Sequence, residues 1–207
     1  MPILAVDVEA ASQSKMTKPV LMIHEVREEF FELPLEDYVL TFDDGLYSQF
    51  HYIDRFLKID TPKIFFISSD ILCQGIQSRD LISCEDAHEK AFAGNKENYM
   101  TLDQVKNLAS QPQVSIGGHS HSHRRLTQFK ILEKLNHIQH DTSEMIMWFE
   151  NHLGFRPTKF CFPYNDNYDG LYNAALKQYG ITECYGRERI PVEQLLRSLY
   201  QSETLAV

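Results

Sequence analysis

Three polar clusters in this sequence have the residue types and spacing that chemistry needs. The first is Asp43-Asp44, held between Phe42 and Gly45. Two adjacent carboxylates are costly if both are unpaired in a dry site. Either one binds a metal while the other works as a base, or both are solvated residues of an Asp-Gly turn. The second cluster is His119-Ser120-His121-Ser122-His123, directly after Gly117-Gly118. One helical turn would place the imidazoles of His119 and His123 on one face, as a zinc-type divalent ion uses them. His121 would then point elsewhere. A polar loop with surface histidines is the plain alternative. The third cluster is Phe160-Cys161-Phe162-Pro163-Tyr164, followed by Asn165-Asp166. It reads either as a pocket wall or as ordinary structure.

Together the clusters describe more than each does alone. Asp44 with His119 and His123 gives two imidazoles and one carboxylate, which leaves positions open for water and substrate. Asp43 beside them would act as general base, and the ion would acidify water and polarise a carbonyl. A tetrahedral oxyanion then needs a further donor, for which a backbone N–H is the usual device.

The elements that must position these residues alternate between strand and helix. Apolar runs at Tyr38–Phe42, Lys63–Ile67, Val114–Ile116 and Lys159–Phe162 each end in turn residues, and Ile181–Tyr185 is a weaker fifth. Near-continuous apolar strands predict a sheet buried on both faces. Helical spacing runs over Leu46–Leu57, Leu126–Leu153 with Gly154 as its stop, and Tyr168–Tyr179 ending at Gly180. Thr101-Leu102-Asp103-Gln104 has the form of a capping box, and Pro191 sits as a first helical residue. This alternation predicts parallel strands joined by right-handed crossovers, with chemistry at the strands' C-terminal ends. Residues Cys73–Asn98 read as a long polar excursion over one rim.

Composition narrows the partners. The chain has 207 residues, 43% hydrophobic and 24% charged, and a net charge of −9 with histidines neutral. That balance argues against nucleic acid, since phosphate binding needs clustered Lys and Arg. No apolar run is long enough for a transmembrane segment. The four cysteines, Cys73, Cys84, Cys161 and Cys184, are widely spaced and read as reduced thiols. Met1–Ala11 does not read as a secretory signal, so a cytoplasmic location is the expectation. The oligomeric state is left open.

The motifs resemble those of the polysaccharide deacetylases of the NodB-homology, carbohydrate-esterase type. Thr41–Gly45 reads T-F-D-D-G, His119–His123 fits H-[ST]-x-x-H, and Pro163-Tyr164 ends the third motif. The resemblance spans about residues 38–185 of a chain read as one domain over 1–207. It implies an α/β fold, a distorted, incomplete (β/α) barrel with mostly parallel strands. It implies Asp43 as catalytic base and Asp44, His119 and His123 as ligands of one divalent metal. Zinc is the default ion, with cobalt, nickel or manganese as alternatives. The Tyr164 backbone N–H, beside Pro163, would help hold the oxyanion.

Two departures from the family pattern stand out. Many members carry Arg two residues before the motif's Pro, where it orients the base; here that position is Cys161. Many also use a late His as general acid, and no histidine follows His152. His24, His121 or water at the metal are candidates for that role. Arg187 and Arg189 read as solvated surface, with the site rim as the alternative.

The expected activity is removal of an N-acetyl group from an amino sugar in a glycan or glycan precursor, as in surface-polysaccharide biosynthesis. The partner is a carbohydrate bearing N-acetyl groups. The alternatives are hydrolysis of another C–N bond, such as N-formyl, and a carbohydrate-binding homologue without turnover.

Overall fold

The computed structural model describes residues 18–204, so the reading of Met1–Ala11 lies outside the described residues. Seven strands form one sheet: β1 Val20–Ile23, β2 Val39–Phe42, β3 Lys63–Ile67, β4 Val114–Gly118, β5 Lys159–Cys161, β6 Glu183–Tyr185 and β7 Ile190–Pro191. Their spatial order is β6-β5-β4-β3-β2-β1-β7, and every pairing is parallel. The sheet curls into an incomplete, distorted (β/α) barrel with β6 and β7 at its edges.

The central strand shows why. All five residues of β3 are buried, as a strand covered on both faces requires. Phe65 stacks on Phe42 of β2 at 4.3 Å, and Phe42 meets Phe56 edge-on at 4.8 Å. Lys63 is also buried at the start of β3. Its ammonium donates to the carbonyls of Ile59 and Thr61, at 2.7 and 2.8 Å, and to Gln113 Oε1 at 3.1 Å. Burial still lowers its pKa.

Seven α-helices lie among the described residues: α1 Tyr47–His51, α2 Ile53–Phe56, α3 Cys84–Phe92, α4 Leu102–Ala109, α5 Ile131–Leu153, α6 Leu171–Gln178 and α7 Val192–Thr204. The helix expected over Leu46–Leu57 is broken at Tyr52, whose φ −96° and ψ 9° separate α1 from α2. Helix α4 has the full Thr101/Gln104 capping box, and α5 ends on left-handed Gly154 with φ 76°. Leu126 and Tyr168 lie outside α5 and α6; the Tyr168 hydroxyl accepts instead from the Leu126 N–H at 2.8 Å. Pro191 belongs to β7, and α7 begins at the next residue.

Gly117-Gly118 is strand rather than turn. A Cβ on Gly117 would sit 2.7 Å from the Phe66 ring, and one on Gly118 would sit 2.4 Å from Met145 Sδ. Both glycines are there because β3 and α5 pack directly on the backbone that leads into the histidine cluster. The polar excursion contains α3, capped by Ser83 Oγ accepting from the Asp86 N–H. No helix among the described residues is long and apolar enough to cross a membrane.

Candidate active site

The C-terminal ends of β1, β2, β4 and β5 converge on one cleft of about 630 Å³, within the usual size of a small-molecule site. Asp43 and Asp44 leave β2 in a turn, with Asp44 at φ 76° and Gly45 at φ 87°. Asp tolerates this left-handed region better than most residues. The turn is not solvated, however, because Asp43 and Asp44 are 1% and 0% exposed. Buried Gln49 on α1 clamps it by donating from Nε2 to the carbonyls of Asp43 and His24.

Asp44 Oδ1 lies 3.1 Å from His119 Nε2 and 3.1 Å from His123 Nε2. It has no hydrogen-bond partner among the described residues. Donor atoms at the corners of a tetrahedral zinc site would be about 3.3 Å apart, given bonds of about 2.0–2.1 Å. The tautomer of His119 fits as well. Its Nδ1 lies 2.8 Å from the Cys161 carbonyl, which can only accept, so Nδ1 carries a proton and Nε2, which faces Asp44, is the nitrogen left to bind an ion. Burial drives the pKa of His123 down to about 4 against the pull of Asp44, so its imidazole is neutral near pH 7. Burial opposes charge on Asp44, yet the surrounding imidazoles, His123 first, hold it well below the ordinary carboxylate value. Burial would lower the pKa of His119, but Cys161 and Asp44 outweigh it and hold it well above its ordinary value, so a cation bound here would have to displace the Nε2 proton. A carboxylate and two imidazoles are then a donor set that suits a zinc-type ion.

The turn that carries the two histidines is not helical, contrary to the expectation from their spacing. Ser120 and His123 have φ 66° and 50°. Ser120 Oγ accepts from the His123 N–H at 2.9 Å. Buried Asp141 on α5 accepts from the N–H groups of His121 and Ser122 at 2.7 and 2.9 Å, and from the Ser122 hydroxyl. One carboxylate therefore fixes the loop from beneath. His121 turns away from the cleft, with Nδ1 2.8 Å from Ser69 Oγ.

Asp43 is held by Arg189, which corrects the reading of that arginine as solvated surface. Arg189 is 3% exposed, and its fork donates to Asp43 Oδ1 and Oδ2 at 2.7 and 2.8 Å. The same guanidinium donates to Thr41 Oγ1 at 3.0 Å and Asn165 Oδ1 at 2.8 Å. Burial would raise the pKa of Asp43, but Arg189 outweighs it and leaves the carboxyl below its ordinary value. The Cys161 side chain is too short to supply a guanidinium, and the β6–β7 connection supplies one instead. Burial pushes the Cys161 thiol up to about 11, so it lies neutral against this ion pair. Arg187 stays outside and donates to the Asn165 carbonyl at 3.2 Å.

The remaining positions line the cleft. His24 follows β1, is about one-third exposed, and has Nε2 3.8 Å from Asp43 Oδ2. Pro163 is buried and opens a short 3-10 turn that puts Tyr164 at φ 57°. The Tyr164 ring packs 4.7 Å from that of His123, and its hydroxyl donates to the His123 carbonyl at 3.2 Å. The reading of the cysteines as free thiols holds for all four.

Two residues that sequence reasoning passed over also face the cleft, Cys84 and His88 of α3. Their spacing was visible, since they stand four apart as His119 and His123 do. Asp141 also had a signal, as an acid on the helix face that carries the apolar Ile138, Met145 and Phe149.

No curated protein matches the chain at a significant level. Among solved structures, IcaB from Ammonifex degensii has the same fold, with TM-score 0.64, 18% identity and 84% of each chain covered. A de-N-acetylase from Aggregatibacter actinomycetemcomitans superposes with TM-score 0.57 and 17% identity, over 84% of this chain and 77% of its own. The Streptococcus pyogenes deacetylase PplD, solved with acetate, gives TM-score 0.57 and 13% identity over 86% and 96%. The family model described as polysaccharide deacetylase matches residues 33–184, which include both aspartates, both facing histidines and Pro163-Tyr164. The chain belongs to the polysaccharide deacetylase family.

Proposed function

We propose that this protein is a metal-dependent hydrolase that removes an N-acetyl group from an amino sugar in a glycan or glycan precursor. The observation that carries this reading is the convergence of Asp44, His119 and His123 at 3.1 Å, with an ionised carboxylate on the preceding residue. Asp44, His119 and His123 would hold one divalent cation, with zinc favoured by the nitrogen-rich donor set. Such an ion supplies Lewis-acid polarisation of the amide carbonyl and lowers the pKa of water.

The chain's own residues do the rest. Asp43 accepts a proton from the attacking water, and the Arg189 fork keeps its carboxylate oriented and ionised. The Tyr164 backbone N–H is the donor assigned to the developing oxyanion. His24 is assigned as the acid that protonates the leaving amine, because it reaches the cleft beside Asp43 while His121 is engaged by Ser69. Water is consumed, the C–N bond breaks, and acetate and a protonated sugar amine result. Glu25, Glu85 and Glu193 line the same cleft and suit a cationic product.

The non-catalytic alternative drew on two departures from the family. Arg189 removes the first, since a guanidinium does hold Asp43. The test is acetate release from N-acetylglucosamine oligomers by the zinc-loaded protein and by Asp43→Asn, with zinc affinity measured on both. Loss of a general base is expected to slow release by about 10²–10⁴-fold with zinc still bound. Equal rates for the two proteins would remove Asp43 as the base.

A further inference from the structure

Beside the Asp44–His119–His123 set lies a second group of ligand-type side chains to which nothing in the proposed reaction gives a role. Helix α3 presents Cys84 and His88 one turn apart, on the face that looks into the cleft. Cys84 Sγ lies 3.4 Å from Asp44 Oδ2 and 3.5 Å from His88 Nδ1. His88 Nε2 lies 3.6 Å from Asp44 Oδ1. Ligand atoms of Asp44, Cys84 and His88 all lie within 4.8 Å of one another. We propose that Asp44, Cys84 and His88 form a second site for a thiophilic divalent cation of the zinc type, sharing Asp44 with the first.

The geometry supports this in three ways. A tetrahedral zinc site with Zn–S about 2.3 Å and Zn–N or Zn–O about 2.0–2.1 Å has sulfur–nitrogen and sulfur–oxygen edges of about 3.5 Å. The Cys84 Sγ–Asp44 Oδ2 separation of 3.4 Å matches the sulfur–oxygen edge, and the ligand nitrogen of His88 is Nε2, since Nδ1 faces the Cys84 thiol at 3.5 Å. The buried His88 Nε2 has no hydrogen-bond partner among the described residues, which is costly for an imidazole nitrogen unless a ligand satisfies it. The His88 ring is also held in place. It lies nearly parallel to His123 at 4.6 Å and to Phe92 at 5.8 Å, between the two.

The helix is anchored well enough to hold a ligand pair. Ala87 and Ala91 pack with Leu46, Ile71 and Tyr99 in a separate apolar cluster. Glu25 Oε2 accepts from the Cys84 N–H at 3.2 Å and fixes the start of α3 against β1. The two oxygens of Asp44 reach both groups: Oδ1 faces His119 and His123 at 3.1 Å and His88 at 3.6 Å, and Oδ2 faces Cys84. Carboxylates that bridge adjacent ions do this in two-metal hydrolases. An ion at this second position would add positive charge to a cleft wall that otherwise carries Glu25 and Glu85.

The inference rests on the first cation site, so its test must separate the two. Metal-free full-length protein is titrated with Co²⁺, followed by calorimetry and by near-ultraviolet absorption, where thiolate-to-cobalt charge transfer appears. Two ions per chain are expected, with the thiolate band growing in with one of them. Cys84→Ser and His88→Gln are each expected to bind one ion, and the Ser variant without the band. One ion per wild-type chain with no thiolate band would overturn the second site and leave the first intact. One ion with the band would place Cys84 on the first ion, and would also overturn the second site. No binding at all would overturn the first site and the second with it. The band is read on the wild-type protein, so the result does not depend on either variant folding.

Discussion

Replacing Arg189 with methionine keeps most of the side-chain length and removes the fork that faces Asp43. Both partners are buried, at 3% and 1% exposure, so the carboxylate left behind has little water to turn to. Removing one member of a buried ion pair costs about 3–5 kcal/mol. With an unfolding entropy of about 2.1 cal/mol/K per residue, the 207-residue chain has about 0.43 kcal/mol/K, so the melting temperature should fall by about 7–12 °C. Arg189→Lys keeps the charge but not the two-pronged geometry, and should fall between wild type and Met. The decisive comparison is the cycle of Arg189→Met, Asp43→Asn and the double variant in urea unfolding. The double variant buries no lone charge, so it should lose less than the sum of the singles, with a coupling of about 2–3 kcal/mol. Additive losses, or a wild-type melting temperature for Arg189→Met, would refute the claim that this pair sets the state of Asp43.

Asp141→Ala removes the carboxylate that accepts three hydrogen bonds from the histidine loop. It should cost about 2–3 kcal/mol and weaken zinc binding by about 10–100-fold, read by urea unfolding and calorimetry. Gly117→Ala places a Cβ 2.7 Å from the Phe66 ring and 3.0 Å from the Lys159 carbonyl. It should destabilise by about 1–3 kcal/mol in thermal unfolding, whereas Gly154→Ala meets no neighbour and pays only for its left-handed φ. Zinc at about 100 times its Kd should stabilise the wild type by about 2.7 kcal/mol, and a chelator should reverse the shift in melting temperature.

The strands were legible because β2, β3, β4 and β5 are mainly apolar runs closed by turn signals, and in β3, buried along its whole length, burial on both faces writes itself directly into composition. The parallel pairing followed from their alternation with helices, and the incomplete barrel from the family resemblance. Asp43, Asp44, His119 and His123 were legible because their types are unusual at strand ends. The helical turn expected at the histidines was wrong for a physical reason. Spacing shows that two rings can share a face but not which backbone does it, and here Asp141, 18 residues beyond His123, stabilises a positive-φ loop instead. Arg189 was misread because local sequence says nothing of a partner 146 residues away. An arginine in a charged run before a short edge strand looks solvated until the sheet curls around it. Cys84 and His88 were overlooked inside a segment whose polar, glycine-containing composition resembled a surface loop, although their spacing matched that of His119 and His123.

The central claim is that Asp44, His119 and His123 grip one divalent cation beside Asp43. Anomalous diffraction at the zinc edge, from crystals of the full chain grown with equimolar zinc, reads it directly. The account predicts a peak about 2.0–2.2 Å from Asp44 Oδ1 and from the Nε2 atoms of His119 and His123. A zinc-saturated crystal with no peak between those three side chains would contradict it.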